Sequence, residues 1–442
     1  MLDLSHRSLL KVAIPLMAST FIQSIVLLTD SSFLSRYDTL AFDAAGNGGL
    51  IFITMYMAMV GMNEGAQILL ARRIGEGREN LIPRIFGTSI IINVLLAIVL
   101  LVITFFVLPD LLLEGTKHKE IGALQFDYVQ IRSFGMIPSI FTLAIIAYFT
   151  SIGRTSIVLI SAVIIAFMNI GLDYSLIFGN AGFPEMGLKG AALASTLSDT
   201  GGALFLIGVL IFDKKSKNQL QLKYIRFKAS SFNQLIKLGS PIMFQGIVAL
   251  LTWTIFFFWI EQIGIFELTV SQNIRTLYFL AFVPIWGFGA TTKTYISQYI
   301  GKGDFEALPI IIRRIQFLTV IFLLVFFHGA ILYPEQLISL INPNPEFIET
   351  SAQTLRFLFG SMLIYGVVSI YFNTIAGSGN TRFTLLIELV SVLLYIVFAY
   401  LFIKVYKFEI CWIWSVEYIY FGTIGILSIL YLKFFNWQKK QL

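Results

Sequence analysis

Three aspartates stand in otherwise apolar stretches of the first half of the chain: Asp30, Asp173 and Asp199. A charged side chain at mid-membrane costs roughly 2.5–3.5 kcal/mol on insertion scales, so such acids usually face a bundle interior or a wet cavity. Asp173 follows Asn169 by four residues. On a helix that spacing stacks the two side chains one turn apart on one face. Asn offers a neutral carbonyl oxygen and Asp a charged one. Sodium is a hard cation that takes oxygen ligands, so Asp30, Asn169 and Asp173 together make a candidate sodium cage. A proton is the other candidate, because paired carboxylates in a dry site share protons readily. A purely structural reading stands beside both: Asn169 as an amide tying two helices, and Asp30 as an acid near the outer interface.

These residues need a scaffold, and composition says what kind. Mean hydropathy is +0.83; 57% of residues are hydrophobic and only 13% are charged, about half the charged share of a soluble domain. Hydropathy supports about twelve apolar segments of bilayer length: 9–35, 47–71, 86–108, 126–150, 156–178, 189–212, 236–260, 268–297, 312–333, 351–376, 383–405 and 410–434. In hydrocarbon each must be helical, because its backbone groups have no water to bond to. The expected fold class is all-α integral membrane, with twelve transmembrane helices. The first segment contains Pro15, Gln23 and Asp30 and belongs to an internal repeat, so it is not expected to be a cleaved signal peptide.

The repeat has one offset, 226 residues. Leu9, Lys11, Pro15 and Met17 fall on Leu235, Lys237, Pro241 and Met243; Gly61 falls on Gly287; Ile74, Gly75, Gly77 and Pro83 fall on Ile300, Gly301, Gly303 and Pro309; Gly153 and Thr155 fall on Gly379 and Thr381. An even number of helices per half makes the copies parallel, so the expectation is two six-helix lobes related by a pseudo-two-fold axis along the membrane normal, with a pathway between them. The lobes are placed at 1–222 and 223–442, with 213–235 as the polar linker. The paired Gly-x-Gly segments suit tight turns that need positive φ. Pro15 and Pro241 either start their helices or kink them. The acids are not repeated: Asp30, Asp173 and Asp199 fall on Phe256, Ala399 and Gly425. This asymmetry places the ion site in the N-terminal lobe.

Charge distribution reads as topology. Arg72, Arg73, Arg78 and Arg84 share one short loop; Lys214, Lys215, Lys217, Lys223, Arg226, Lys228 and Lys237 share the linker region; Lys302, Arg313 and Arg314 share a third. The opposite loops are poor in Lys and Arg, so both termini are expected in the cytoplasm. Basic residues spread over separate loops do not make a nucleic-acid surface, and no nucleic-acid partner is expected. The single cysteine, Cys411, precludes an intrachain disulfide. His6, His118 and His328 lie too far apart for metal-ligand spacing. No phosphate-loop motif occurs, so neither an enzyme nor ATP drive is indicated.

The paired L-x-K-x-x-x-P-x-M starts, the Gly-x-Gly turns, the Gly153-Arg154-Thr155 and Gly379-Asn380-Thr381 turns, and the segment from Gly179 to Ser195 with its G-F-P-E-x-G-L-K-G-A-A-L-A-S run resemble the multidrug and toxic compound extrusion (MATE) family, bacterial type, over nearly the whole chain. The resemblance implies a cation-coupled antiporter, driven by sodium or protons, that exports amphipathic and often cationic drugs or metabolites by alternating access. In one bacterial branch of the family, an Asp on helix 1 joins an Asn-x-x-x-Asp pair on helix 5, a Tyr on helix 4 and a small hydroxyl residue on helix 6. Those positions read Asp30, Asn169, Asp173, Tyr128 and Ser195, with Thr196 the alternative hydroxyl. Ala191, one turn before Ser195, is positioned to lend a backbone carbonyl. Gln23 stands where the family has a polar residue contacting substrate, a helix-packing amide being the alternative, and Asp199, one turn beyond Ser195, is a further candidate for substrate. Asn273 and Arg275 are further intramembrane polar candidates for substrate, Arg275 alternatively pairing with a carboxylate; Glu388 and Glu417 are weaker ones. Phe256, Phe257, Phe258 and Trp259 suit either lipid contact or an aromatic drug cavity. Another branch uses acids on helix 7 and at the helix 10–11 turn, where this chain has Leu251, Thr254 and Asn380.

The resemblance further implies a monomer in the bacterial inner membrane, with no cofactor beyond the coupling ion. Its partners are then a small organic substrate and membrane lipid. The alternative function is a lipid or lipid-linked sugar flippase of the same superfamily, which needs a cavity rich in Arg and Lys.

Overall fold

The computed structural model describes residues 2–115, 119–220, 224–439 and 442. His118 and Lys223 lie outside the described residues. Among the described residues there are helices and no strands. Twelve spans follow in order: α1 His6–Tyr37, α2 Thr39–Gly75, α3 Glu79–Phe106, α4 as Ile121–Ser133 and Met136–Ser151, α5 Ser156–Phe178, α6 Gly187–Phe212, α7 Ala229–Glu261, α8 Ile265–Lys302, α9 Ala307–Phe327, α10 Pro345–Gly377, α11 Thr381–Val405 and α12 Ile410–Phe434. The twelve-helix membrane fold expected from hydropathy is therefore present.

Hydropathy did not reveal that α4 is broken. Its two halves meet at 50°. At the break Phe134, Gly135 and Ile137 donate to the carbonyls of Ile131, Arg132 and Phe134, each three residues back. These tight bonds replace the helical i→i−4 ladder, and the axis turns. The prolines are the second difference. Pro15 and Pro241 lie inside α1 and α7 rather than at their starts. Each removes an N–H from the helix interior, so the helix-start reading is excluded and a weakened ladder remains.

The chain packs as two compact units. One runs from Ile14 to Met243; the other combines Met1–Ala13 with Phe244–Leu442. Both divisions fall inside helices, within three residues of Pro15 and Pro241.

In the first unit the beginning of α7 lies against α2 at very close range. A Cβ on Gly61 would come 2.5 Å from Met243 Cα, and one on Gly65 2.6 Å from Gly239 Cα. Small residues let helix backbones approach this closely in a membrane, where dispersion replaces hydrophobic drive. Phe52, Met59, Leu100, Met136 and Leu143 form a core shared by α2, α3 and α4. In the second unit the chain start is tied down by main-chain bonds. Leu2 N donates to Gln298 Oε1 (3.2 Å), while Leu2 O accepts from Tyr299 and Leu4 O from Arg314. Its core is aromatic, with Phe256 5.3 Å and Tyr278 5.9 Å from Trp414 between ring centroids.

The repeat is visible in the turns. Gly77 and Gly303 have φ of 69° and 78°, and Gly153 and Gly379 have φ of 73° and 90°. Each pair is one repeat apart, and a Cβ is disfavoured at all four. Beside Gly153, Arg154 grips Asp213 with both guanidinium nitrogens (2.5 and 3.1 Å), and Ser216 donates to the same carboxylate through its N–H and Oγ (2.8 and 2.7 Å). The Arg154 bond holds the Asp213 carboxyl well below the usual carboxylate range.

Two outcomes are expected in thermal unfolding of the purified protein. Gly61→Ala forces a Cβ into the Met243 backbone, which no rotamer change relieves, and should cost about 1–3 kcal/mol. Arg154→Gln removes a partly exposed ion pair and should cost no more than about 1 kcal/mol. A depressed carboxyl stabilises above its unfolded value and loses that contribution as pH falls. The Arg154→Gln deficit should therefore be full at neutral pH and shrink below about pH 4.

Candidate functional site

Asp30 comes from α1, Asn169 and Asp173 from α5, and Ser195 from α6. All four side chains belong to the first unit, and they converge. Asn169, Asp173 and Ser195 are buried, Asp173 completely, and Asp30 is half-buried. The four-residue spacing on α5 works as expected, putting Asn169 and Asp173 on the face that meets α1 and α6. With its amide nitrogen toward the acids, Asn169 donates to Asp30 Oδ1 at 2.7 Å and Asp173 Oδ2 at 3.3 Å, and its oxygen faces Ser195 Oγ at 3.3 Å. Ser195 Oγ is also 3.4 Å from Asp30 Oδ2. The Asp30 and Asp173 carboxyls are within hydrogen-bonding reach of each other. Asp173 Oδ1 is buried without a hydrogen-bond partner.

Asn169 has a second setting. Turned over, its nitrogen donates to Ser195 Oγ (3.3 Å) and its oxygen points at both carboxylates. Three oxygens would then face one another, one from the amide and one from each carboxylate, which only protons or a cation between them can satisfy. The donor set, two carboxylates with neutral amide and hydroxyl oxygens, suits a monovalent hard cation. Among the described residues no cluster of three or more His, Cys, Asp or Glu is present to hold a metal.

The other candidates divide. Thr196 Oγ1 donates to the Ala192 carbonyl of its own helix (2.8 Å), so of the two hydroxyls only that of Ser195 meets Asp30. Ala191 is buried one turn before Ser195, packed with Leu34 and Ile177. Tyr128 packs against that cluster, within electrostatic range of Asp30 and Asp173. Asp199 is not an open acid: it pairs with Arg132 at 2.8 Å, and Arg132 also covers the Phe52 ring at 4.1 Å. Gln23 is exposed on α1. Asn273 is spent on Ser351 Oγ (3.2 Å), tying α8 to α10. Arg275 stands over the Phe257 ring at 4.9 Å, and the carboxylate partner considered for it is absent among the described residues. Phe256 is buried in the second unit's core, while Phe258 is exposed.

Arg132 is the residue that sequence reasoning missed. It lies inside the fourth predicted span, and an arginine there needs an acid. Of the three aspartates singled out in the first half, Asp199 was the one outside the candidate cage, so balancing its charge points to the pair.

Comparison with known proteins bears on the family and the fold. A family model, MatE, matches residues 15–175 and again residues 241–401. Thermotoga maritima has a protein described as "Probable multidrug resistance protein NorM", 26% identical over 98% of this chain and 94% of its own length. The Bacillus subtilis "Probable multidrug resistance protein YoeA" is 24% identical, over 99% and 95%. Among solved structures, a MOP superfamily transporter from Pyrococcus furiosus superposes with a TM-score of 0.88 at 18% identity, covering 99% of this chain and 97% of that one. A multidrug resistance MATE family transporter captured facing outward gives 0.83 at 19% identity, over 96% and 94%. A family match that recurs once per half and takes in most of the chain, on a fold shared with MATE transporters, makes this protein a member of the MatE family of multi-pass membrane transporters.

Proposed function

We propose that this protein is a cation-coupled multidrug antiporter. A sodium ion or a proton binds at Asp30, Asn169, Asp173 and Ser195, and its entry drives export of an amphipathic organic cation. The observation that carries this reading is the meeting of a buried carboxylate, Asp173, with a half-buried one, Asp30, with no cation paired to either among the described residues. The cation acting on Asp30 is Arg132, and Asp199 already engages it. Two charges so placed repel, and removing them from water is costly. A bound cation relieves both, and the unpartnered Asp173 Oδ1 and the Asn169 oxygen are available to it. Sodium is favoured over the proton because neutral oxygens complete the set.

Coupling follows from competition and shape. Cation binding draws Asp30 on α1 toward Asp173 on α5, so α1 has a ligand-dependent position. Pro15 leaves α1 one backbone bond short and lowers the cost of bending it. With the cation gone, the uncompensated carboxylates attract a cationic drug; with it bound, they do not. The relatives' names speak of multidrug resistance, and this chain is read the same way. The substrate class is small aromatic cations; membrane lipid is the other partner, and no nucleic acid or cofactor takes part. The protein is read as a monomer of the bacterial inner membrane, with both termini cytoplasmic by the distribution of Lys and Arg. The flippase alternative has less support, because Arg275 and Arg132 are isolated basic groups and diphosphate binding calls for several together.

Ethidium efflux from proteoliposomes under an imposed sodium or proton gradient tests this. Asp30→Asn and Asp173→Asn should each abolish gradient-driven efflux while leaving the protein folded; normal efflux by either variant overturns the site. The hydroxyls should separate: Ser195→Ala loses one hydrogen bond of about 1 kcal/mol and weakens the ion dependence about fivefold, whereas Thr196→Ala should change it less.

A further inference from the structure

The second unit holds a group of ionisable side chains that the coupling site does not use. Glu388 on α11 and Glu417 on α12 are 2% and 0% exposed. They are bonded crosswise. Tyr420, on the helix of Glu417, donates to Glu388 Oε1 at 2.5 Å; Tyr395, on the helix of Glu388, donates to Glu417 Oε1 at 3.1 Å. The two tyrosine rings meet edge to face at 5.7 Å. Each helix thus supplies one acid and one phenol, and each phenol serves the other helix's acid.

Among the described residues no counter-charge acts on the pair. The ionisable groups that act on the pair are Tyr278 on α8, Tyr365 on α10, Tyr395 on α11 and Tyr420 on α12, all phenols. Tyr278 is already bonded to Ser361 Oγ at 2.8 Å. Glu417 Oε2 is buried and has no hydrogen-bond partner. A carboxylate in this setting would be a desolvated charge with one neutral donor. The site offers too few oxygens for a metal ion, since the tyrosine hydroxyls are used as donors and the walls are aromatic. It suits a proton. The quartet is not sealed, because Tyr420 is only half-buried.

The internal repeat gives this position meaning. Carried through the 226-residue offset, Tyr395 falls where Asn169 stands, Phe256 where Asp30 stands, and Glu417 where Ala191 stands, one turn from Ser195. Phe256 lies 5.5 Å from Tyr395 between ring centroids, just as Asp30 lies beside Asn169. The second unit therefore has no acid at the counterparts of Asp30 and Asp173; its acids stand instead at Glu388, two turns before Tyr395 on its fifth helix and at the counterpart of Ala162, and at Glu417 on its sixth.

We propose that Glu388 and Glu417, cross-linked by Tyr420 and Tyr395, form a proton-binding site in the C-terminal unit at the repeat counterpart of the Asp30 site. It stands independently of the coupling reading above. Infrared titration of the full chain in lipid nanodiscs tests it without requiring transport. The wild type should show a protonated-carboxyl stretch that bleaches on alkalinisation; Glu417→Gln and Glu388→Gln should each remove part of it, while Asp30→Asn should leave that part in place. Tyr395→Phe keeps both acids and the ring, so it should shift the Glu417 component without removing it, and it serves as the decisive variant if a glutamine substitution prevents folding. Spectra of the glutamine variants that superpose on wild type would overturn the proposal. So would a component that never bleaches, which makes the acid a fixed structural group, or an unshifted band in Tyr395→Phe.

Discussion

A carboxylate inside a dry helix bundle must be met by something that neutralises it, and most of this protein's polar architecture follows from that demand. Asp199 is met by Arg132 from the broken fourth helix. Asp213, at the end of α6 and partly in contact with solvent, is met by Arg154. Among the described residues Asp30 and Asp173 meet each other, an amide and a hydroxyl. The distinction separates acids that hold the structure together from acids that wait for a ligand. An acid with a permanent partner has little reason to change state during a transport cycle. One whose partner is absent makes the energy of its helix depend on what is bound, and in the cycle proposed above this dependence is what would couple an ion gradient to a conformational change.

The scaffold that delivers these residues is held by packing that sequence pattern records well. Hydropathy found the helices, and the offset of 226 residues found the duplication, because both rest on features that every copy must keep: apolar length and glycine at turns of positive φ. The pattern was silent where one side chain's partner decided the outcome. The break in α4 follows a tightened backbone at Phe134 and Gly135, within an apolar stretch that reads as continuous. The reach of α1 and α7 beyond their prolines was also hidden, since a proline is compatible with a helix start on sequence grounds and only the residues before it settle the matter.

The site itself was legible in part. The Asn169–Asp173 spacing is a local property, and a helix converts it into a shared face without further information. The convergence of Asp30 from α1 and Ser195 from α6 is a tertiary fact that spacing cannot supply; here the family resemblance stood in for it. Choosing Ser195 over Thr196 needed the rotation of α6, which turns one hydroxyl to the acids and the other to its own backbone. Arg275 shows the opposite failure, because the carboxylate pairing considered for it is not made among the described residues and it stands over the Phe257 ring instead.

The duplicated halves make the final comparison possible. A repeat preserves where a cavity between helices lies, but not which helix must furnish its polar group. In the first unit the first and fifth helices carry the acids and the sixth carries a small residue; in the second the matching positions of the first and fifth carry Phe256, Tyr395 and Ala399, while the acids are Glu388, two turns earlier on the fifth, and Glu417 on the sixth. Comparing only the positions of the first unit's acids makes the second unit look apolar. Comparing the spaces those acids occupy shows an acid in both. For a duplicated membrane protein, the unit of inheritance that matters to ion binding is therefore the interhelical space, and a search for lost or kept sites should run over every helix that lines it.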